Sequence, residues 1–521
     1  MLTHKQLKQI LKAPNNVFGS QDKDTLEIQS LEFDSRKVNR GSAFFCIRGE
    51  KADGHEYIQT AFDQGADIVI ADELNKSDIE KNFKSRINNI IFVNHVRKAL
   101  AEAANAFYGD PGQQVNLIGV TGTNGKTTVT HLIAQVVSDC LSDKVGLIGT
   151  LGAKIFKDGK CIEFLGEGSG RTTPEATELQ ETIQTLKQKG CKYITMEVSS
   201  HALEQGRVHS CNFNMAVFTN LTQDHLDYHV TMEKYFNSKA ILFEELLKGK
   251  NPKAIINTDS NWAERLRDRI APQTSIITYG IESSSPKIKA ENINSSNKGI
   301  TATITYNEEN EELHLPLNGI FNLYNALSAI GVAVSIDSKK SLSLKDILKS
   351  LEKAQAAPGR FEVIKKPSES LPTCIVDYAH TPDGLENVLK TAKQIVPKGG
   401  KLVSVFGCGG DRDPTKRPIM GKISSNYANI SIVTSDNPRT EDPNQIIADI
   451  LTGIEILDYV EVEVDRATAI ERAITESSGL DIVVIAGKGH EDYQIFPDKT
   501  IHFLDSEEVE KAYSKMLKQK V

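Results

Sequence analysis

Val129, Leu132, Ile133, Val136 and Val137 fall at offsets 0, 3, 4, 7 and 8, the apolar stripe of an amphipathic helix. An apolar run before it (Val115, Leu117, Ile118) predicts a strand, and Gly119-Val120-Thr121-Gly122-Thr123-Asn124-Gly125-Lys126-Thr127-Thr128 lies between the two. The same alternation runs along the rest of the chain. Ala43–Ile47 and Ala66–Ala71 read as strands around a helical Tyr57–Gln64, and Tyr193–Val198 and Met215–Phe218 as two more strands. Tyr235, Phe236, Leu242, Phe243 and Leu246 mark the buried face of a helix, and Ala326–Val334 predicts another. In the last third, apolar runs at Cys374–Val376, Leu402–Phe406, Ile430–Val433, Val460–Val464 and Ile482–Ile485 are separated by helical segments, a doubly wound α/β pattern. Breaks fall at Tyr108–Gly112, where proline and glycine end a helix, and around 350–357, after the polar stretch Ser335–Ser350. They divide the chain into 1–112, 113–353 and 354–521.

Composition narrows the partners. The 521 residues suit three domains at about 100–200 residues each. A net charge of −8 leaves no basic excess to displace phosphate counterions, so no nucleic-acid partner is expected. No apolar stretch approaches the roughly 18 residues that cross a bilayer. Met1–Lys12 is polar and basic and is not read as a secretory signal. The seven cysteines form no CxxC pair, which fits reduced thiols in a cytoplasm.

The glycine-rich turn aims backbone N–H groups and a positive helix end at one point, which suits a polyphosphate. Lys126 adds a cation for the outer phosphates, and the Thr127 hydroxyl a magnesium ligand. The strict GxxxxGK[ST] pattern is not met, because Val120 stands where its first glycine belongs. A plain turn with a solvated lysine is the alternative. Downstream, Glu197-Val198-Ser199-Ser200-His201 and Asp224-His225 each follow a strand. Carboxylates and histidines at strand ends beyond a phosphate loop are what a magnesium–phosphate site requires, although a single histidine is as readily structural. Lys239 shares the apolar face of its helix. Either it snorkels from the edge, or its charge is removed or used, since a buried ammonium is costly. Asn322 and Asn325 fit an adenine edge, or Asn322 caps a helix. Asp34-Ser35-Arg36 is a binding loop or a solvated turn. Asp377–His380, Gly407–Asp413, Asp436–Arg439 and Gly487–Glu491 follow four strands and are expected to line one rim. There Arg412 and Arg439 would fork carboxylates and Glu491 would meet an ammonium, a rim suited to a zwitterionic amino acid.

TGTNGKTT, EVSSH, DHLDYH, GIFNLYNALSA, APGR, DYAHTPD, FGCGGDRD, SDNPRTEDP and AGKGHEDYQ occur in this order. Together, from about Asp34 to the end, they resemble the Mur ligase family. The resemblance implies a monomeric, cytoplasmic, ATP-dependent amide ligase of peptidoglycan precursor synthesis. Its architecture would be an N-terminal UDP-binding domain, a central P-loop ATPase-like domain and a C-terminal Rossmann-like domain. Gly122, Thr123, Asn124, Gly125, Lys126, Thr127 and Thr128 would hold ATP, with Asn322 and Asn325 facing adenine and Arg360 and Asp377 near phosphate and ribose. Thr127, Glu197 and His225 would ligate Mg2+, and Lys239 would be carbamylated, becoming an anion for a second ion. UDP-N-acetylmuramoyl-dipeptide would be held by Ser35, Thr172, Thr173, Ser199, Gln205 and Arg207. Family members that use meso-diaminopimelate carry Asp-Asn-Pro-Arg, present here as Asp436, Asn437, Pro438 and Arg439. Arg412, Gly487 and Glu491 would complete that pocket, where Arg439 pairs with the second carboxylate and repels a lysine side chain. The catalytic set is then Lys126, His225, Lys239 and Arg360, with His225 or His380 as candidates for the amine's proton. Arg171 departs from the family's usual asparagine before the two threonines. Folylpolyglutamate synthetase has a similar phosphate loop, but the uridine-type N-terminal domain and Asp-Asn-Pro-Arg count against it. A binding protein without turnover is disfavoured by intact Lys126, Glu197, His225 and Lys239.

Overall fold

The computed structural model describes residues 2–12, 25–49, 52–166, 170–296, 298–336, 342–456 and 458–519. Part of the polar stretch before the second break, 337–341, and Met1 of the polar start lie outside the described residues. Three sheets organise the chain. The first holds four parallel strands in chain order, Ser30–Glu32, Ser42–Phe45, Ala66–Asp72 and Ile90–Val93. The helix Val96–Phe107 covers it and packs on the helix Ala176–Gln188, so Ala176 joins the core of this sheet.

The second sheet has eleven strands. Its parallel centre runs, in space, Ser275–Gly280, Lys253–Asn257, Met215–Phe218, Asn116–Thr121, Cys191–Glu197, Lys144–Gly149. Central strands buried on both faces need unbroken apolar runs. One face packs on the helices Lys126–Leu141, Ile320–Ser335 and Leu344–Leu351, the other on Ala176–Gln188 and Met232–Ile241. Further strands extend both edges: Gly152–Lys157 and Lys160–Gly166, antiparallel, on one side; on the other Ile288–Ser296, parallel to Ser275–Gly280, followed by antiparallel Gly299–Tyr306 and Glu309–Leu315. Strand order reverses around Asn116–Thr121, so the glycine-rich turn lies where α/β sheets take ligands.

The third sheet runs Glu362–Val363, Thr373–Asp377, Ile482–Ala486, Leu402–Phe406, Ile430–Val433, Val460–Val462, parallel except for its first strand. Two expectations shift. The helix expected over Ala326–Val334 spans Ile320–Ser335. The helix carrying Lys239 ends at Ile241 and widens into a π-turn at Leu242–Leu246. Among the described residues no helix is long and apolar enough to cross a membrane.

Candidate active site

Gly122 and Gly125 both hold positive φ, +151° and +89°. The turn between them is pinned by Thr123 N–H to the Asn220 carbonyl (3.0 Å) and Asn124 N–H to Asn220 Oδ1 (2.9 Å). Lys126 Nζ folds back onto the carbonyls of Gly122 (2.9 Å) and Thr123 (2.8 Å). Lys239 Nζ donates to that same Gly122 carbonyl at 2.8 Å and lies 4.5 Å from the centre of the Tyr235 ring. Its residue is 2% exposed, which excludes snorkelling. Burial, then the Lys126 charge, press its pKa well below the ordinary value, and Lys126 is lowered chiefly by burial too. Lys239 pairs with no carboxylate among the described residues.

Beside these amines Glu197, the last residue of its strand, accepts from Thr127 Oγ1 (2.9 Å) and Thr150 N–H (2.9 Å). Arg360 Nη2 crosses from the third domain to donate to Thr127 Oγ1 at 3.1 Å, and its buried Nε has no partner among the described residues. His225 holds left-handed backbone at φ 54°, a conformation that costs a non-glycine residue energy and concentrates at functional sites. Its Nε2 lies 3.2 Å from Asp224 Oδ2 and its ring 4.9 Å from that of His201. Burial pushes His225 down to about 3 and His201 to about 4. Burial alone would raise Asp224, but His225 and His380 hold it well below the carboxylate range. A cavity of about 120 Å³ joins Lys126, Thr127, Glu197, His225, Lys239 and Arg360. Its oxygen donors, Thr127 and Glu197, suit Mg2+, which binds one or two carboxylates and takes the rest of its shell from phosphates and water.

Thr172 and Ser199 line the same cavity. Thr150 Oγ1 donates to Thr172 Oγ1 (3.2 Å), Thr173 Oγ1 donates to the Glu197 carbonyl (2.9 Å), and Ser199 caps the helix Ser200–Glu204. Arg207 is committed internally: to the Thr173 carbonyl (3.1 Å), Gln205 Oε1 (2.6 Å) and Glu175 (3.2 Å). Arg171 (2.7 Å) and Arg97 of the first domain (3.4 Å) reach the same Glu175 carboxylate, a hub the sequence reading missed. Ser35 stands apart, at the start of a 3-10 turn capped by Asp34, and Arg36 is an exposed partner of Asp34.

A larger cavity, about 400 Å³, opens on the other side of the turn. Thr128, Asn322, Asn325 and Asp377 line it, and so do the unforeseen Asp259 and Asp383. Asn322 does not cap its helix, which starts at Gly319 with no side-chain cap; its amide donates to the Asn318 carbonyl (2.8 Å) and accepts from Asn325 (3.1 Å). Burial lifts Asp377 to about 6 despite Arg360. Asp383 accepts from Asn124 Nδ2 at 2.7 Å, tying the third domain to the turn.

The four clusters of the third sheet do meet. Gly410 N–H donates to the Asn437 carbonyl (2.9 Å), Gly487 N–H to the Asp377 carbonyl (3.0 Å), and Asn437 Nδ2 to Glu491 Oε2 (2.8 Å). Asp436 Oδ2 sits 2.5 Å from where a side chain on Gly487 would begin, so only glycine fits there. Pro438 leads into Arg439, whose left-handed backbone (φ 54°) turns one guanidinium nitrogen onto the Gly410 carbonyl (2.8 Å). Its other nitrogens have no partner among the described residues. Arg412 is exposed and donates to the Asp411 carbonyl (2.9 Å). Glu491, expected to await an ammonium, already faces Lys488 at 3.3 Å. Tyr378 links this rim to the phosphate side, with the Arg360 guanidinium 4.4 Å above its ring and His490 5.2 Å away.

Three family models match: Mur ligase family, catalytic domain, over residues 27–108; Mur ligase middle domain, over 120–333; and Mur ligase, glutamate ligase domain, over 359–489. A Clostridium botulinum protein named UDP-N-acetylmuramoyl-L-alanyl-D-glutamate--2,6-diaminopimelate ligase is 44% identical over 97% of this chain and 98% of its own length. A solved structure of an enzyme with that name aligns with TM-score 0.66 and 33% identity over 98% of this chain and 99% of its own. A Mycobacterium tuberculosis folylpolyglutamate synthase shares the fold over 74% of this chain and 91% of its own, with TM-score 0.58 at 18% identity.

Proposed function

The chain belongs to the Mur ligase family, and from that premise we infer that it is an ATP-dependent ligase joining meso-2,6-diaminopimelate to UDP-N-acetylmuramoyl-L-alanyl-D-glutamate in peptidoglycan precursor synthesis. The observation that carries the chemistry is the meeting of Lys126 and Lys239 on one carbonyl, beside Glu197, Thr127 and Arg360. In our reading residues 1–112 hold uridine near Ser35, 113–353 hold ATP and the muramoyl peptide, and 354–521 hold the incoming amino acid. The larger cavity takes adenosine, against Asn322, Asn325 and Asp377, and directs the phosphates to the turn.

The substrate's glutamyl carboxylate attacks the γ-phosphorus; an O–P bond forms and the bond to the β-phosphate oxygen breaks, releasing ADP. Lys126 and Arg360 spread the charge that develops. The diaminopimelate amine then attacks the acyl carbon, expelling phosphate and losing a proton. His225 is weakly basic, so we assign that proton to His380, which lies 3.8 Å from Asp224. Mg2+ would be held by Thr127, Glu197 and His225 and would neutralise phosphate charge. Lys239, whose pKa burial presses well below the ordinary value, can offer the lone pair that adds to CO2; one N–C bond forms, one proton leaves, and a carbamate anion results. Thr172, Thr173 and Ser199 then orient the dipeptide, with Arg207 and Gln205 bracing them from behind. The seven free cysteines support a cytoplasmic setting.

Phosphate release with ATP, the UDP-muramoyl-dipeptide and individual amino acids tests this reading. Release is expected with meso-diaminopimelate and not with lysine. Release only with lysine would overturn the pocket assignment, and release with folate plus glutamate the substrate class. Arg439→Ala should raise the KM for diaminopimelate about 10- to 100-fold, the worth of a hydrogen bond to a charged group, with the KM for ATP unchanged.

A further inference from the structure

Arg466 and Asp505 are both 0% exposed, the most completely buried ion pair among the described residues. Each starts a helix, Arg466–Thr475 and Asp505–Gln519. The guanidinium grips the carboxylate with both prongs, Nε to Oδ1 and Nη2 to Oδ2, each at 2.8 Å. Its remaining donors go to two backbone carbonyls: Ala486 (3.1 Å) and Ser435 (3.5 Å). Ala486 ends one strand of the third sheet, and Ser435 lies two residues beyond Ile430–Val433. The next residues are Gly487 and Asp436, where the two loops of the amino-acid rim begin. One side chain thus ties the roots of both loops, and the Arg466 charge also helps hold down the pKa of the buried Asp436 carboxylate. A buried ion pair gives little net stability over well-packed apolar residues of the same size. What it supplies, and an apolar pair cannot, is fixed direction.

We infer that Arg466, fixed by Asp505, is a positioning residue for the amino-acid pocket. It sets the Asp436–Arg439 loop against the Gly487–Glu491 loop so that Arg439 and Glu491 stand at the spacing a diamino diacid requires. The inference rests on the reading of this rim as the diaminopimelate pocket. The chain of contacts is continuous: Asn437 receives the Ile495 N–H on its Oδ1 (2.9 Å), gives its amide to Glu491 (2.8 Å), and offers its carbonyl to Gly410 (2.9 Å). A shift at either root would move both gripping side chains.

The test uses the full-length enzyme with the double substitution Arg466→Met/Asp505→Leu, which removes both charges together, and with Arg466→Lys, which keeps the charge and loses the fork. We expect the double variant to keep the wild-type melting temperature and the KM for ATP, while its KM for diaminopimelate rises about tenfold or more. Arg466→Lys should give a smaller rise of the same kind. An unchanged diaminopimelate KM in a folded double variant, or an equal loss across all substrates, overturns the inference. If the double variant does not fold, Arg466→Lys decides by the same split. Arg439→Ala is measured alongside: if it raises the diaminopimelate KM and the Arg466 variants do not, only the inference fails. If it too has no effect, the rim reading fails and takes the inference with it.

Discussion

Lys239 shows what a single buried charge demands. A lysine ammonium that pairs with no carboxylate, 2.8 Å from a carbonyl already shared with Lys126, is unfavourable as a cation. As the carbamate proposed above it would be an anion beside Lys126, and the repulsion would become attraction. Stability and activity should therefore part company at this position. Lys239→Met, which fills the site without charge, is expected to melt at or above the wild-type temperature while kcat falls about 100-fold or more, the scale of losing a group that stabilises transition-state charge. Calorimetry and steady-state kinetics on the same preparation check this. A variant that melts lower and still turns over would show the amine to be structural.

The strand–turn–helix element around Gly125 carries its own constraint. A side chain there would start 2.5 Å from Asn325 Oδ1, on a backbone at φ +89° that L-residues rarely adopt. Gly125→Ala should raise the KM for ATP about tenfold, with the KM for diaminopimelate little changed; an unaltered ATP KM would mean that the phosphates bind elsewhere. This element was legible in the sequence because glycine spacing and an apolar stripe report backbone conformation directly. So were the parallel strands of the third sheet, whose burial on both faces leaves continuous apolar runs such as Ile482–Ala486. The strands Ile288–Ser296 and Glu309–Leu315 were not, since half-exposed strands rich in Asn, Ser and Glu carry no such run. Gly319–Ala326 was read as opening the helix, but its exact start was less plain, because the amides Asn322 and Asn325 face a cavity and interrupt the apolar stripe of the first turns. Lys239 was visible as a contradiction in an apolar stripe. Arg466 and Asp505 were invisible, because nothing local marks two charges 39 residues apart as partners.

Across the whole molecule, the second domain links the other two, and the third meets it at the glycine-rich turn. Arg97–Glu175 joins the first to the second; Asn124–Asp383, Arg360–Thr127 and Gln223–Thr415 join the second to the third. Burial at this junction has a consequence for pH. His131, His201, His225 and His490 are all depressed by burial, to about 4, 4, 3 and 3. His131 Nε2 and His490 Nδ1 have no hydrogen-bond partner among the described residues, so an added proton would find no acceptor there. An unfolded histidine binds its proton near 6.5. Between about pH 6.5 and 4 the unfolded chain therefore takes up protons that the folded chain refuses, and stability falls as pH falls. Asp377 opposes this: raised to about 6 by burial, it binds a proton more readily when folded and favours the folded state as pH drops below that value. Asp383, raised by burial too, acts the same way, while a fifth ring, His229, is depressed like the other four. Asp224, held well below the carboxylate range, loses its contribution only below pH 4, outside the window. At pH 5, about 1.5 units below the unfolded value, each ring should cost about 2 kcal/mol, so the melting temperature is expected well below its value at pH 7.5, at about 2–4 °C per kcal/mol. Thermal melts across that range check the sign, and a flat profile would mean that the junction opens and wets the rings without unfolding. His490→Asn, which removes one of the depressed rings, should make the slope measurably shallower if the rings act independently.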